Sequence, residues 1–239
     1  KLNASFKTAG DGWKTLPDNF YERDYSADYR AFLPFYNVYG ALQKNLQWYK
    51  EIGVVHIFRQ DTTGEAFNSF SQLRAYLTSK LMWDVDADMN ALMDDFFDKF
   101  YKSGAGYMRE YFNLMQGHCM TLDATLSGGY HKTCYFEIDP NKWPIRIMEQ
   151  ALDLIAKAEA TYEPIKATDS ALYEKLKLRT LQESVCVRAL IMDNYGTYYN
   201  IEAPRYTEMK EQLRKDMEKI GISFWKESGG IGTWFSELP

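Results

Sequence analysis

The sequence predicts a mainly α-helical chain with a short α/β segment near its start. Three observations carry this. Apolar residues recur at helical spacing over most of residues 38–220. One β-branched and aromatic run, Val54-Val55-His56-Ile57-Phe58, interrupts them. After Trp83 the strand signal almost vanishes.

Taken in order, the first 35 residues hold Gly10, Asp11, Gly12, Pro17, Asp18, Asn19 and Pro34, and read as loop with one or two short strands at most. Val38, Leu42, Leu46, Tyr49 and Ile52 then mark a helix, which Gly53 ends as a C-terminal cap would. The run 54–58 follows and reads as a buried strand, with Arg59, Gln60, Asp61, Thr62, Thr63 and Gly64 as a polar loop behind it. Ala66, Phe70, Leu73, Leu77 and Leu81 form the stripe of a second helix. Helix, strand, loop, helix is the unit from which parallel sheets are built, and one strand cannot close a sheet.

Further on, Met89, Leu92, Phe96 and Phe100 mark a third helix. Tyr107, Tyr111, Leu114, His118 and Leu122 mark a fourth, with residues 103–106 between them. Residues 127–141 read as loop, with a short strand at 133–138. Met148, Ala151, Ile155, Ala158 and Tyr162 define a fifth helix, with Pro144 in its first turn. Residues 169–199 read as one long helix with the stripe Leu178, Leu181, Val185, Ala189 and Met192. At about 45 Å it is long enough to be the spine of a bundle. Tyr206, Met209, Leu213, Met217 and Ile220 define a seventh helix starting at Pro204. The tail sets Gly221, Gly229, Gly230 and Gly232 among Phe224, Trp225, Trp234 and Phe235.

Composition narrows the function classes. At 46% apolar the chain can build a sizeable core, and a net charge of −5 without a Lys/Arg cluster argues against nucleic acid as a partner. No apolar run approaches the roughly 20 residues that span a bilayer, so no membrane span is expected. Cys119, Cys134 and Cys186 are too few and too odd in number for a disulfide framework, although Cys119 and Cys134 could pair.

No metal and no cofactor is expected. Asp84, Asp86, Asp88 and Asp95 have the spacing of a calcium loop, but Met89 stands where its turn needs glycine. The preferred reading is that the three alternating aspartates cap and complement a helix start. His118, Cys119, His131 and Cys134 match no zinc spacing, and His118 reads as a hydrogen-bonded core histidine. Nucleophile elbow, phosphate loop and dinucleotide fingerprint are all absent from the sequence. Acidic residues such as Asp94, Asp98, Glu149, Glu174 and Glu183 read as solvated helix faces. The polar exit of the strand is different. His56, Arg59, Gln60 and Asp61 stand at its C-terminal end, where α/β barrels bind ligands.

Several motifs together resemble a known family. They are Asp24-Tyr25-Ser26-Ala27-Asp28-Tyr29, Leu33-Pro34-Phe35-Tyr36-Asn37, Asn45-Leu46-Gln47-Trp48-Tyr49, Phe58-Arg59-Gln60, Leu73-Arg74-Ala75-Tyr76-Leu77, Lys80-Leu81-Met82-Trp83-Asp84 and Phe96-Phe97-Asp98-Lys99-Phe100-Tyr101. The chain is similar in these to an uncharacterised family of Bacteroidetes glycoside-hydrolase-like proteins. Its members carry this region behind domains resembling those of α-glucuronidases and β-hexosaminidases. Tyr36 departs from the family, many of whose members have proline there.

The resemblance implies a fold: a fragment of a (β/α)8-type barrel at residues 1–83, then a C-terminal α-helical domain at residues 84–239. Residues 53–60 would be a late strand, or the last. A complete barrel needs about 250 residues, so an upstream barrel domain is the implied partner. The implied function is the C-terminal region of a carbohydrate-processing protein located outside the cytoplasm, in the periplasm or on the cell surface. It would not be catalytic alone, and no catalytic residue carries over. Its carbohydrate ligand, bound through the full-length protein, would meet His56, Arg59, Gln60 and Asp61, with Tyr25 or Trp13 as a stacking ring. The alternative is a non-catalytic helical protein-interaction module that docks through an exposed tail patch of Trp225, Trp234 and Phe235.

Overall fold

A computed structural model of the chain describes residues 4–16, 19–62, 67–126, 139–199 and 203–238. The 133–138 strand, His131, Cys134 and Ala66 lie outside these residues.

The first element is a helix where loop was expected. α1 (Ala4–Trp13) forms despite Gly10, Asp11 and Gly12 because its contacts outweigh its poor propensity. Lys7 bridges Asp11 at 2.8 Å one turn on, and the Trp48 indole donates to the same carboxylate at 3.1 Å. Gly10 is buried under Trp48, where a Cβ would stand 2.5 Å from the ring.

β1 (Phe20–Tyr25), α2 (Tyr39–Glu51) and β2 (Val54–Gln60) form a strand–helix–strand unit. The two strands pair in parallel, from Phe20 opposite Val54 to Tyr25 opposite Gln60. α2 buries Tyr39, Leu42, Leu46 and Tyr49. It stops where Gly53 takes φ +88°, which turns the chain into β2. β2 departs from the expected buried strand. Ile57 packs on the core, but Val55 and Phe58 are 51% and 48% exposed and Tyr21 of β1 is 62% exposed. For Tyr21 and Phe58 the physical reason is that helices cover one face of this two-stranded sheet, while its other face has no cover among the described residues; Val55 falls at the register shift between the Phe20–Val54 and Tyr21–His56 pairs.

α3 (Ser71–Trp83) buries the expected Leu73, Leu77 and Leu81, but begins only after Phe70. α4 (Met89–Tyr101) is capped by Asp88, whose carboxylate accepts from the amides of Asn90 and Ala91. α5 (Ala105–Thr125) and α6 (Ile145–Ala160) pack on each other, and Pro144 stands at the N-cap of α6 rather than in its first turn. His118 of α5 is hydrogen-bonded at 2.7 Å to the Lys142 carbonyl.

A short α7 (Glu163–Lys166) leads into α8 (Ser170–Asp193), which contacts α4, α6 and α10 and is the expected spine. It is shorter than expected, about 36 Å. Asn194 breaks the helix with φ −120°, so α9 (Tyr195–Tyr198) is separate. Of the expected stripe, Val185, Ala189 and Met192 are buried and Leu181 packs on the core, but Leu178 is exposed, because the N-terminal half of α8 turns the row Leu176, Thr180, Glu183 inward. α10 (Ala203–Ile220) follows as predicted.

The tail folds back on the body. β3 (Phe224–Lys226) and β4 (Gly229–Gly230) make an antiparallel hairpin and α11 (Ile231–Glu237) closes the chain. Trp234 and Phe235 are buried and Trp225 is half-buried, so the expected exposed tail patch is not present. Tight folding of the Gly-rich hairpin carries α11 onto the C-terminal part of α8, where the Trp234 indole donates to Asp193 at 3.1 Å. One apolar cluster runs from Leu33 to Leu238. No helix among the described residues is long and apolar enough to cross a membrane.

Candidate functional site

Parallel pairing brings the C-terminal ends of β1 and β2 together. Tyr25 lies opposite Gln60, and one residue on, Ser26 donates both its amide and its hydroxyl to the Gln60 carbonyl, each at 2.9 Å. The side chain of Gln60 is also held, accepting from the Arg23 guanidinium at 2.5 Å. Arg23 lies over the rings of both Tyr25 and Phe58. Alternation along the strands puts Arg23, Tyr25, Phe58 and Gln60 on the uncovered face.

Asp61 follows immediately. Its carboxylate accepts from Arg74 of α3 through Nε at 3.1 Å and a terminal nitrogen at 2.8 Å, a two-pronged grip. The Arg74 side chain is 1% exposed, while that of Asp61 keeps 35% of its surface. The buried guanidinium therefore aims a carboxylate that still meets solvent. Arg74 also donates to Asn68 at 2.6 Å, and the Asp61 carbonyl accepts from Tyr29 at 3.1 Å. One terminal nitrogen of Arg74 and the amide nitrogen of Asn68 are buried without acceptors among the described residues.

Ser69 and Phe70, which lead into α3, are fixed by side chains of α2, α5 and α8. Phe70, just before α3, holds φ 55° and ψ 31°, a left-handed conformation costly for a bulky residue. Its amide donates at 2.9 Å to Glu183 of α8, and its carbonyl accepts from Tyr39 at 3.0 Å. Ser69 donates to the other Glu183 oxygen at 2.7 Å, and Tyr111 lies 3.3 Å from the Ser69 hydroxyl. Glu183 is thus a buried loop anchor and not the solvated face residue expected, because its helix turns the row Thr180–Glu183 inward. Burial pushes its carboxyl up to about 7, against the opposing pull of Ser69, the Phe70 amide, Arg74 and Tyr111.

The other expected rim residues are dispersed. Arg59 points to the helix-covered side, where its guanidinium stands 3.5 Å from Asp24. His56 is exposed four residues before Gln60, about 13 Å down the strand, and lines a different cleft with Met82 and Trp83. Trp13 stacks on Phe20 at the opposite end of β1. The structure therefore gathers Tyr25, Gln60 and Asp61 and separates His56, Arg59 and Trp13 from them. Sequence reasoning assigns no site role to Arg23, Arg74 or Asn68 and places Glu183 on a solvated helix face. For Arg74 a signal existed: an arginine directly beside the Leu73–Leu77–Leu81 stripe has to reach a partner or leave a buried charge unpaired.

Residues 1–113 match a family described as Domain of unknown function (DUF4838). No curated protein and no solved structure matches the chain. The matched segment contains Tyr25, Gln60, Asp61 and Arg74 and ends before Glu183.

Proposed function

We propose that this chain is the C-terminal region of a glycoside-hydrolase-like protein that processes carbohydrate outside the cytoplasm. It contributes rim residues to a sugar cleft and a helical support for them, while the reacting carboxylates lie on other strands of the same barrel. The observation that carries this reading is the pair of parallel strand ends with Tyr25, Gln60 and Asp61 side by side. Ligands of parallel α/β folds bind at that end of the strands. The chemistry also suits a sugar: an aimed carboxylate and a held amide can bond neighbouring hydroxyls, and a tyrosine ring can cover an apolar sugar face. The uncovered, aromatic face of the sheet supports continuation into more strands, since parallel sheets ordinarily have both faces covered.

The test is binding of the barrel-containing protein to a glycan array, followed by calorimetry with the best oligosaccharide. Gln60→Ala and Arg23→Ala are the variants of choice, because Asp61→Ala would strand the buried Arg74. Loss of one good hydrogen-bonding group predicts binding weaker by about ten-fold. Unchanged affinity in both variants removes these residues from the cleft.

A further inference from the structure

The tail hairpin, the loop after β1 and the C-terminal end of α8 enclose a second cleft. Its volume is about 430 Å³, and small-ligand sites commonly have about 300–1,000 Å³. Tyr25, Gln60 and Asp61 do not line it. Trp225 and Pro34, both partly exposed, give it an apolar wall. Two side chains of opposite charge also line it without pairing with each other. Asp193 is exposed, and one of its oxygens accepts from the Trp234 indole at 3.1 Å, while the other has no hydrogen bond among the described residues. Lys226 makes no ion pair among the described residues. Its ammonium lies 4.7 Å from the centre of the Trp225 ring, and its stem crosses Gly229, where a Cβ would collide with it. The Trp225 indole nitrogen is buried with no acceptor among the described residues, and an unmet donor of this kind marks a place for an oxygen from outside the chain. The walls are fixed before any ligand arrives, because the Phe32 amide donates to the Trp225 carbonyl at 2.7 Å and the Glu227 amide to the Tyr29 carbonyl at 2.8 Å.

We infer that this cleft is a second sugar-binding site, complete within this chain, and that it takes an uncharged sugar residue. The Trp225 ring and Pro34 cover the apolar face of the sugar, while Asp193 accepts from hydroxyls at its edge and Lys226 donates to them. The two opposite charges set the class of ligand. An anion would be repelled by Asp193, and a cation by Lys226 and the exposed Arg30 at the same cleft. A neutral ligand with many hydroxyls is repelled by neither. The choice of a sugar among such ligands rests on the carbohydrate reading above.

The experiment screens the labelled 239-residue chain on an array of neutral oligosaccharides and measures the best binder by calorimetry. Lys226→Met keeps the stem over Gly229, and Asp193→Asn keeps an acceptor for the Trp234 indole, so both variants should melt as the wild type does. Each should bind about ten-fold more weakly, the effect of losing one charged hydrogen-bonding group. Gln60→Ala in the same chain should leave this affinity unchanged. Phenylalanine, whose ammonium and carboxylate would suit the same two charges, is titrated alongside and should not bind. The site is overturned if the chain retains no oligosaccharide, if both tail variants keep wild-type affinity, or if phenylalanine binds in place of the sugar. Affinity lost in Gln60→Ala but kept in both tail variants would assign the sugar to the strand exit alone. Affinity lost in the tail variants but kept in Gln60→Ala supports the second site and leaves the strand exit to its own test, so the two readings fail separately.

Discussion

A carboxyl group that is 1% exposed holds its proton more readily in the folded chain than in the unfolded one when burial penalises its charge more than its donors stabilise it. Glu183 is in that position, at about 7 against an ordinary 4.5. Between those values the folded chain binds more protons than the unfolded one, so stability from this group is complete below about pH 4.5 and is lost as the pH rises to about 7. The loss amounts to roughly 3 kcal/mol. Urea midpoints taken from pH 4.5 to 8 should therefore decline in the wild type relative to Glu183→Gln, which cannot ionise, keeps its one oxygen as acceptor for the Phe70 amide and turns its NH2 as donor to the Ser69 hydroxyl. Parallel profiles would show that the carboxylate is not buried as described. Nothing near Glu183 in the sequence announces this. Thr180 and Glu183 are the polar members of the row that the N-terminal half of α8 turns inward, so the apolar pair Leu178 and Leu181 made the better pattern there; from Val185 on both rows are buried, and Val185, Ala189 and Met192 are core residues as expected.

Among the elements, the legible ones share a property. α2, α3, α4, α5, α6 and α10 each bury an uninterrupted apolar stripe against a common core, so periodicity alone finds them. α1 has no such stripe. It is held by Trp48 from α2, and a tertiary contact of that kind has no local signature. Two neighbouring glycines make this testable, since alanine favours a helix over glycine by roughly 1 kcal/mol at either position. Gly12→Ala has open space around it and should stabilise the chain by about 0.5–1 kcal/mol. At Gly10 the new methyl would strike the Trp48 ring, and overpacking of about 1–3 kcal/mol should reverse the sign. Thermal melts of the two variants answer the question. If Gly10→Ala also stabilises, α1 does not pack under Trp48. At the strand exit, Gln60 and Asp61 could be read from their place at the end of β2 and just after it. Their separation from Arg59 and His56 depends on which face of the sheet the helices cover, and that is settled by tertiary packing.

For the molecule as a whole, the site depends on segments far apart in sequence. The tail hairpin is tied to the loop after β1 by two backbone bonds, Phe32 to the Trp225 carbonyl at 2.7 Å and Glu227 to the Tyr29 carbonyl at 2.8 Å. Tyr29 in turn donates to Asp61, and Glu183 holds Ser69 and Phe70 at the start of α3, whose Arg74 grips Asp61. The strand-exit cluster is thus held by the last 20 residues and by α8, both beyond the segment that matches a known family. Ile231, Trp234, Phe235 and Leu238 of the tail are all in the main core. Burying side chains of this size is worth about 1.5–3 kcal/mol each, and a domain has only about 5–15 kcal/mol in total. Deleting residues 224–239 should therefore unfold the chain or leave it without fixed tertiary packing. The milder Trp234→Ala should cost about 3–5 kcal/mol, nearly all of it from the cavity left where the buried indole packs. Near-UV circular dichroism and a calorimetric melt distinguish the outcomes. A truncated chain that melts cooperatively near the wild-type temperature would mean that the tail is an appendage, and the loop after β1 would then need some other support to hold Tyr29 against Asp61.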